Sequence, residues 1–109
     1  MSTILSEQEI SEQISRIIAE NRVALFMKGT PEQPRCGFSA RVVQQLEELC
    51  APYASVDILV DPRIRQQLSA QSNWPTVPQL FVDGQLVGGC DIVEELAETG
   101  ELRELIVSA

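Results

Sequence analysis

The stretch Val23-Ala24-Leu25-Phe26-Met27 limits what this chain can fold into more than any other. It is apolar throughout, only five residues long, and followed closely by Gly29 and Pro31, so it reads as a buried central strand. Before it, Ser6-Glu7-Gln8-Glu9 has the form of a capping box, and Ile10, Ile14, Ile17 and Ile18 follow at helical spacing. A helix is therefore predicted from about Glu7 to Glu20, stopping near Asn21.

Beyond the strand, Gly29-Thr30-Pro31 and Pro34 mark a turn-rich loop. Phe38, Val42, Val43, Leu46, Leu49 and Cys50 then recur with helical period, which predicts a helix from about Gly37 to Cys50, ending before Pro52. Cys50 falls on the apolar face of that helix and is expected to pack in the core. Val56, Ile58 and Val60 alternate with Asp57 and Leu59 as in a second strand, and strand–helix–strand order implies a parallel pair with a right-handed crossover. Asp61-Pro62 suits a helix start, with Ile64 and Leu68 facing inward and Arg63, Gln66 and Gln67 outward. Arg65 reads by default as a surface charge. Gln79-Leu80-Phe81-Val82 and Gln85-Leu86-Val87 are strands joined by Asp83-Gly84, a strong hairpin signal. Gly88-Gly89 frees the backbone for positive φ and for close approach of a ligand. Asp91 is placed to cap a fourth helix that carries Ile92, Val93 and Leu96 inward and ends at Gly100; Leu102, Leu105 and Ile106 belong to a short last helix. A parallel unit followed by an antiparallel hairpin makes an α/β fold, a four-stranded mixed sheet flanked by helices.

Bulk properties narrow the function. A chain of 109 residues, 44% of them hydrophobic, favours one domain, taken as residues 1–109. No apolar run approaches the length of a membrane span. Met1-Ser2-Thr3-Ile4-Leu5-Ser6-Glu7 lacks a basic segment and a sustained apolar run, so no secretory leader is expected. Three cysteines, an odd number without a dense framework, suggest a reducing, cytoplasmic setting. A formal charge of −8 argues against nucleic acid and anionic membrane as partners. The absence of histidine excludes His-rich metal sites and Cys–His or Ser–His–Asp nucleophile systems.

The chemistry gathers at Pro34-Arg35-Cys36-Gly37-Phe38-Ser39. Cys36 sits between the turn-rich loop and the second predicted helix, where exposed N–H groups and the helix dipole favour negative charge. A thiol so placed ionises below its ordinary pKa of about 8.5, and the thiolate is the species that attacks disulfides or binds metal. Lys28, Arg35 and Arg41 fall near it in a chain with only eight basic residues. A dithiol redox site would carry a second cysteine three residues after the first; here that position is Ser39, so a resolving thiol must come from elsewhere, from an outside thiol or another cysteine of the chain.

Lys28-Gly29-Thr30-Pro31, Cys36-Gly37-Phe38-Ser39, Trp74-Pro75-Thr76-Val77-Pro78-Gln79-Leu80, Asp83-Gly84 and Gly88-Gly89-Cys90-Asp91, in this order, resemble the monothiol glutaredoxins of the CGFS type from about Ile14 to Ile106. The resemblance implies a thioredoxin fold, Cys36 as the active thiol, and glutathione as its ligand. It implies that Lys28 and Arg65 bind the glycyl carboxylate. Val77 would pair its backbone with the cysteinyl part, before a cis Pro78, with Thr76 beside it. Cys90 and Asp91 would bind the γ-glutamyl end through helix-terminal N–H groups and a carboxylate. Phe38 is placed near the ligand, and Trp74 as wall or packing. An iron–sulfur cluster needs four ligands, which Cys36 from two chains and two glutathione thiolates would supply as a subunit-bridging 2Fe–2S centre. The resemblance thus implies a homodimer with cluster, a monomer without it, and cluster transfer to apo iron–sulfur proteins or a BolA-type partner. The alternatives are a glutathione-dependent thiol oxidoreductase acting in protein deglutathionylation, and a redox-silent adaptor. Arg35, a bulky cation beside the cysteine, departs from the family pattern.

Overall fold

The capping box at the start of the chain forms as the sequence predicts. Ser6 Oγ accepts from the Glu9 N–H at 3.1 Å while Glu9 Oε1 accepts from the Ser6 N–H at 3.0 Å, opening α1, Glu7–Glu20. The structure, a computed structural model, describes residues 5–107, so most of the segment in which no leader is expected lies outside it. After α1 come β1 (Val23–Met27), α2 (Gly37–Glu48), β2 (Ala54–Asp57), a 3-10 turn (Ile58–Val60), α3 (Pro62–Ser72), β3 (Gln79–Val82), β4 (Gln85–Gly88), α4 (Cys90–Thr99) and α5 (Glu101–Val107). No described helix is long and apolar enough to cross a membrane.

The sheet runs β2-β1-β3-β4, with β1 parallel to β2 and antiparallel to β3, and β3 antiparallel to β4. This is the mixed four-stranded sheet expected from the element order. All five residues of β1 are buried because alternate side chains enter two different cores. Val23, Leu25 and Met27 meet Val42 and Leu46 of α2, Val93 of α4, and Leu102 and Ile106 of α5. Ala24 and Phe26 meet Ile10 and Ile14 of α1, Leu68 of α3 and Phe81 of β3. Phe26 and Phe81 touch edge to face, with ring centroids 5.7 Å apart. At the hairpin, Asp83 and Gly84 both take positive φ, as a two-residue turn between twisted strands requires.

Three boundaries differ from the sequence reading. The strand expected over Val56–Val60 ends at Asp57, whose Oδ1 accepts from the Leu59 N–H at 2.9 Å and starts the 3-10 turn. The turn buries Ile58 and leaves Leu59 and Val60 exposed. Helix α2 stops at Glu48 rather than Cys50. Cys50 adopts φ 55° beyond the last turn, so its side chain leaves the apolar face and is exposed instead of packing in the core. Helix α4 is capped by Gly89, which places Asp91 inside the first turn and not at the cap.

Candidate functional site

The loop from β1 to α2 is held by its own backbone and by β2. Thr30 and Gln33 exchange N–H to carbonyl hydrogen bonds at 3.2 and 3.1 Å, and the Arg35 N–H donates to the Lys28 carbonyl at 2.8 Å. Gly29, at φ 90°, donates its N–H to Asp57 Oδ1 at 2.9 Å. A Cβ on Gly29 would lie 2.5 Å from the Gln33 carbonyl oxygen and 2.7 Å from the Arg35 nitrogen, so only glycine fits this crossing. The loop delivers Cys36 to the N-cap of α2 with extended backbone.

Ser39 is fully buried, and its Oγ accepts from the Lys28 N–H at 3.1 Å, tying the first turn of α2 to the end of β1. The Cys36 thiol is held below the ordinary cysteine range. The Ser39 backbone N–H is the largest cause; the Phe38 N–H, the Lys28 charge and the Ser39 hydroxyl add to it, and burial opposes them. Cys36 makes no capping hydrogen bond, so the helix N–H groups act on the sulfur as aligned dipoles. Cys90 has the opposite environment. Burial pushes its thiol up, and so does the Glu94 carboxylate, which accepts from Sγ at 3.7 Å; Arg41 opposes them.

A cleft of about 480 Å³ opens beside Cys36. Lys28, Cys36, Phe38, Arg65, Val77, Cys90 and Asp91, the seven residues singled out from the sequence, all line it. Lys28 and Arg65 bring two cations to it, and Arg65 Nη2 is steadied by the Pro75 carbonyl at 3.2 Å. The start of α4 contributes Cys90, Asp91 and the N–H end of a helix dipole. Phe38 is 56% exposed, which takes it out of the core and leaves it at the mouth. The Val77–Pro78 peptide bond is cis. Arg35 and Arg41 do not line the cleft; Arg41 pairs with Glu94, joining α2 to α4.

The cleft also takes in Trp74, Thr76, Pro78, Gly89 and Ile92. Trp74 lies along its wall. Ile92 was expected only in the core. At Gly89 a Cβ would stand 3.3 Å from the Pro78 carbonyl oxygen, a tight approach of the two segments. Gln79 was read only as a strand residue. It is fully buried, and its Nε2 donates to the Trp74 and Thr76 carbonyls at 3.1 and 3.0 Å, bracing the cleft wall from behind. A glutamine inside the apolar run Val77–Val82 was the available signal, because a buried amide has to find partners.

The donor set suits a ligand with a carboxylate and a soft atom at the thiol. Cys90, Asp91 and Glu94 bring possible metal-ligating atoms within 4.8 Å of one another, but Glu94 is already held by Arg41 and Cys90. Of the two cleft thiols, Cys36 is the one held below the ordinary range.

The glutaredoxin family profile matches residues 23–87, from the first residue of β1 to β4. Glutaredoxin 4 of Escherichia coli (strain K12) is 57% identical over 95 residues, covering 87% of this chain and 83% of that protein. Glutaredoxin 4 of Pasteurella multocida is 51% identical over 98 residues, with 90% of each chain covered. Among solved structures, reduced poplar apo GrxS14 superimposes with a TM-score of 0.78 at 46% identity, covering 89% of both chains. A buckwheat glutaredoxin–glutathione complex shares the fold, with a TM-score of 0.82 at 24% identity over 93% of this chain and 90% of that one.

Proposed function

Since the chain belongs to the glutaredoxin family and has the thioredoxin fold, we propose that its cleft binds glutathione and that Cys36 and glutathione together hold a subunit-bridging 2Fe–2S cluster for transfer to other proteins. The observation that carries this reading is the single activated thiol in the cleft. Ser39 replaces a resolving cysteine and is committed to Lys28, while Cys90 is hydrogen-bonded to Glu94. No neighbouring thiolate competes for Cys36.

Each end of the cleft has a role toward glutathione. Lys28 and Arg65 attract the glycyl carboxylate. The first turn of α4 receives the γ-glutamyl carboxylate at its N–H groups, and Asp91 faces the amino group. Thr76, Val77 and Pro78 form the wall along the tripeptide. The cluster is cargo: two chains supply one Cys36 thiolate each, and two glutathiones supply the rest of a four-thiolate set. Apo iron–sulfur proteins and a BolA-type protein are the partners this reading calls for, in the cytoplasm.

Anaerobic reconstitution with iron, sulfide and glutathione tests it. The expected product is a coloured dimer with about two irons and two glutathiones, as four-thiolate ligation requires. Cys36→Ser should lose colour and dimerisation together, and Cys90→Ser should keep both. A full cluster formed without glutathione, and lost in Cys90→Ser, would overturn glutathione as a ligand. The half-exposed, activated thiol also favours a second reading, glutathione-dependent thiol oxidoreduction. Turnover of small mixed disulfides at the rate of a dithiol glutaredoxin would put that reading first.

A further inference from the structure

Cys90 lines the same cleft as Cys36, yet the chain treats its thiol differently. Its Sγ donates to Glu94 Oε1, one turn along α4, at 3.7 Å. Glu94 is gripped in turn by Arg41 of α2, whose Nε donates to Oε2 at 2.9 Å and whose Nη2 pairs with Oε1. One carboxylate oxygen therefore receives both the thiol and the guanidinium. The charged and titratable groups around Cys90 are Glu94 and Asp91 on its own helix, Arg41 from α2, and Cys36, Lys28 and Arg65 around the cleft. Helix α2 carries Cys36 at its head, so the Arg41–Glu94 pair joins the helices that bear the two thiols.

We propose that Glu94 is a positioning residue that keeps Cys90 from resolving a mixed disulfide between Cys36 and glutathione. The proposal rests on the glutathione reading of the cleft. Resolution requires Cys90 to lose its proton and attack the Cys36 sulfur. The Cys36–Cys90 bond then forms, the Cys36–glutathione bond breaks, and the glutathione thiolate leaves and takes up the proton. One disulfide replaces another, with no net oxidation. While Glu94 faces Cys90, that attack must begin from a thiolate beside a carboxylate, a like-charge contact that favours the protonated thiol. The chain thus carries a second cysteine in its site and still behaves as a one-thiol protein.

Two variants separate charge from scaffolding. Glu94→Gln keeps the size of the side chain and an oxygen able to accept from the thiol, but removes the charge and with it the ion pair to Arg41. Arg41→Gln breaks the same α2–α4 ion pair and leaves the carboxylate. Reduced full-length chains are mixed with oxidised glutathione, quenched in acid at intervals and read by intact mass, which separates the glutathionylated chain from the internal disulfide. Glu94→Gln should resolve faster, by about threefold for each tenfold gain in thiolate, because a more acidic thiol is also a weaker nucleophile. Its pH profile of resolution should move to lower pH, and Arg41→Gln should resolve no faster than the parent. Equal acceleration in both variants, or a parental rate in Glu94→Gln, overturns the proposal. Iodoacetamide alkylation of Cys90 in Cys36→Ser chains needs no glutathione binding. A shift of its pH profile to lower pH on Glu94→Gln supports the role of Glu94 even if Cys36 never takes up glutathione, an outcome that would sink only the reading of the cleft. An unchanged alkylation profile overturns the role of Glu94 even where glutathionylation is normal.

Discussion

Ser39 stands where a dithiol protein would carry its second cysteine, and it has work of its own. Its hydroxyl accepts from the Lys28 N–H and stands among the groups that favour the Cys36 thiolate. Ser39→Ala should therefore destabilise the fold by roughly 1–3 kcal/mol, the cost of leaving a hydrogen-bonding group unpaired away from water, and should raise the Cys36 pKa. Urea unfolding reads the first effect and thiolate absorbance against pH the second; an unchanged titration would remove Ser39 from thiol activation. Lys28→Ala and Arg65→Ala should each weaken glutathione binding by roughly 1–3 kcal/mol with little change in stability, and calorimetry showing parental affinity for both would remove these cations from the site. The two cleft thiols also act on stability with opposite signs. Cys36 has a lowered folded-state pKa, so its contribution is present above the unfolded thiol pKa and is lost as pH falls through the folded value. Cys90 has a raised one, so its contribution is full below the unfolded pKa and is lost as pH rises through the folded value. From neutral to alkaline pH, Cys36→Ser should make the stability curve fall more steeply and Cys90→Ser should flatten it, as parallel denaturant titrations would show. A Cys36→Ser curve that parallels the parent would mean that the thiol is not activated by its helix.

Among the elements, the cleft wall formed by Trp74, Thr76, Val77 and Pro78 lacks regular structure, and its shape depends on β3 behind it. Gln79 makes that link through two backbone carbonyls. Gln79→Leu should lower stability by roughly 1–3 kcal/mol. It should also weaken glutathione binding although Gln79 does not line the cleft; binding at parental strength in a variant of lowered stability would show that the wall holds its shape without this brace. On the opposite side, Gly29 and Asp57 join the thiol-bearing loop to the end of β2. The same carboxylate that ends β2 and starts the 3-10 turn therefore also holds the loop. The alternation of Val56, Ile58 and Val60 suggested a longer strand because periodicity reports which residues are apolar, while the bond from Leu59 N–H to Asp57 is a local competitor that periodicity does not register.

At the scale of the molecule, a formal charge of −8 sets the chain against a second copy of itself. A dimer bridged by a cluster and two glutathiones, as proposed, would work against that repulsion, which salt screens over about 8 Å at physiological ionic strength. Raising salt from low to physiological strength should therefore favour the cluster-bound dimer in sedimentation, while Cys50→Ser, at an exposed position beyond the far end of α2, should leave it unchanged. Dimerisation that weakens as salt rises would point instead to an interface of paired opposite charges.

Element type and order were legible in the sequence because they rest on local signals: the uninterrupted run of β1, the helical spacing of Ile10, Ile14 and Ile17, the capping box at Ser6 and the hairpin at Asp83-Gly84. The seven cleft residues were legible through ordered motifs, although physics alone singled out only Cys36, by its place at a helix start, and Lys28, as a cation near it in sequence. What those residues meet was decided in three dimensions. Arg41 lies 53 positions from Glu94, Gly29 lies 28 from Asp57, and Ser39 lies 11 from Lys28. No local pattern encodes such pairs, since they exist only once the sheet has brought its flanking helices and loops together. Cys50 and Cys90 show the same division. Cys50 was read onto the apolar face of a helix and Cys90 into the turn before one, and only the actual end of α2 and the start of α4 at Cys90 made the first exposed and the second a buried thiol donating to Glu94.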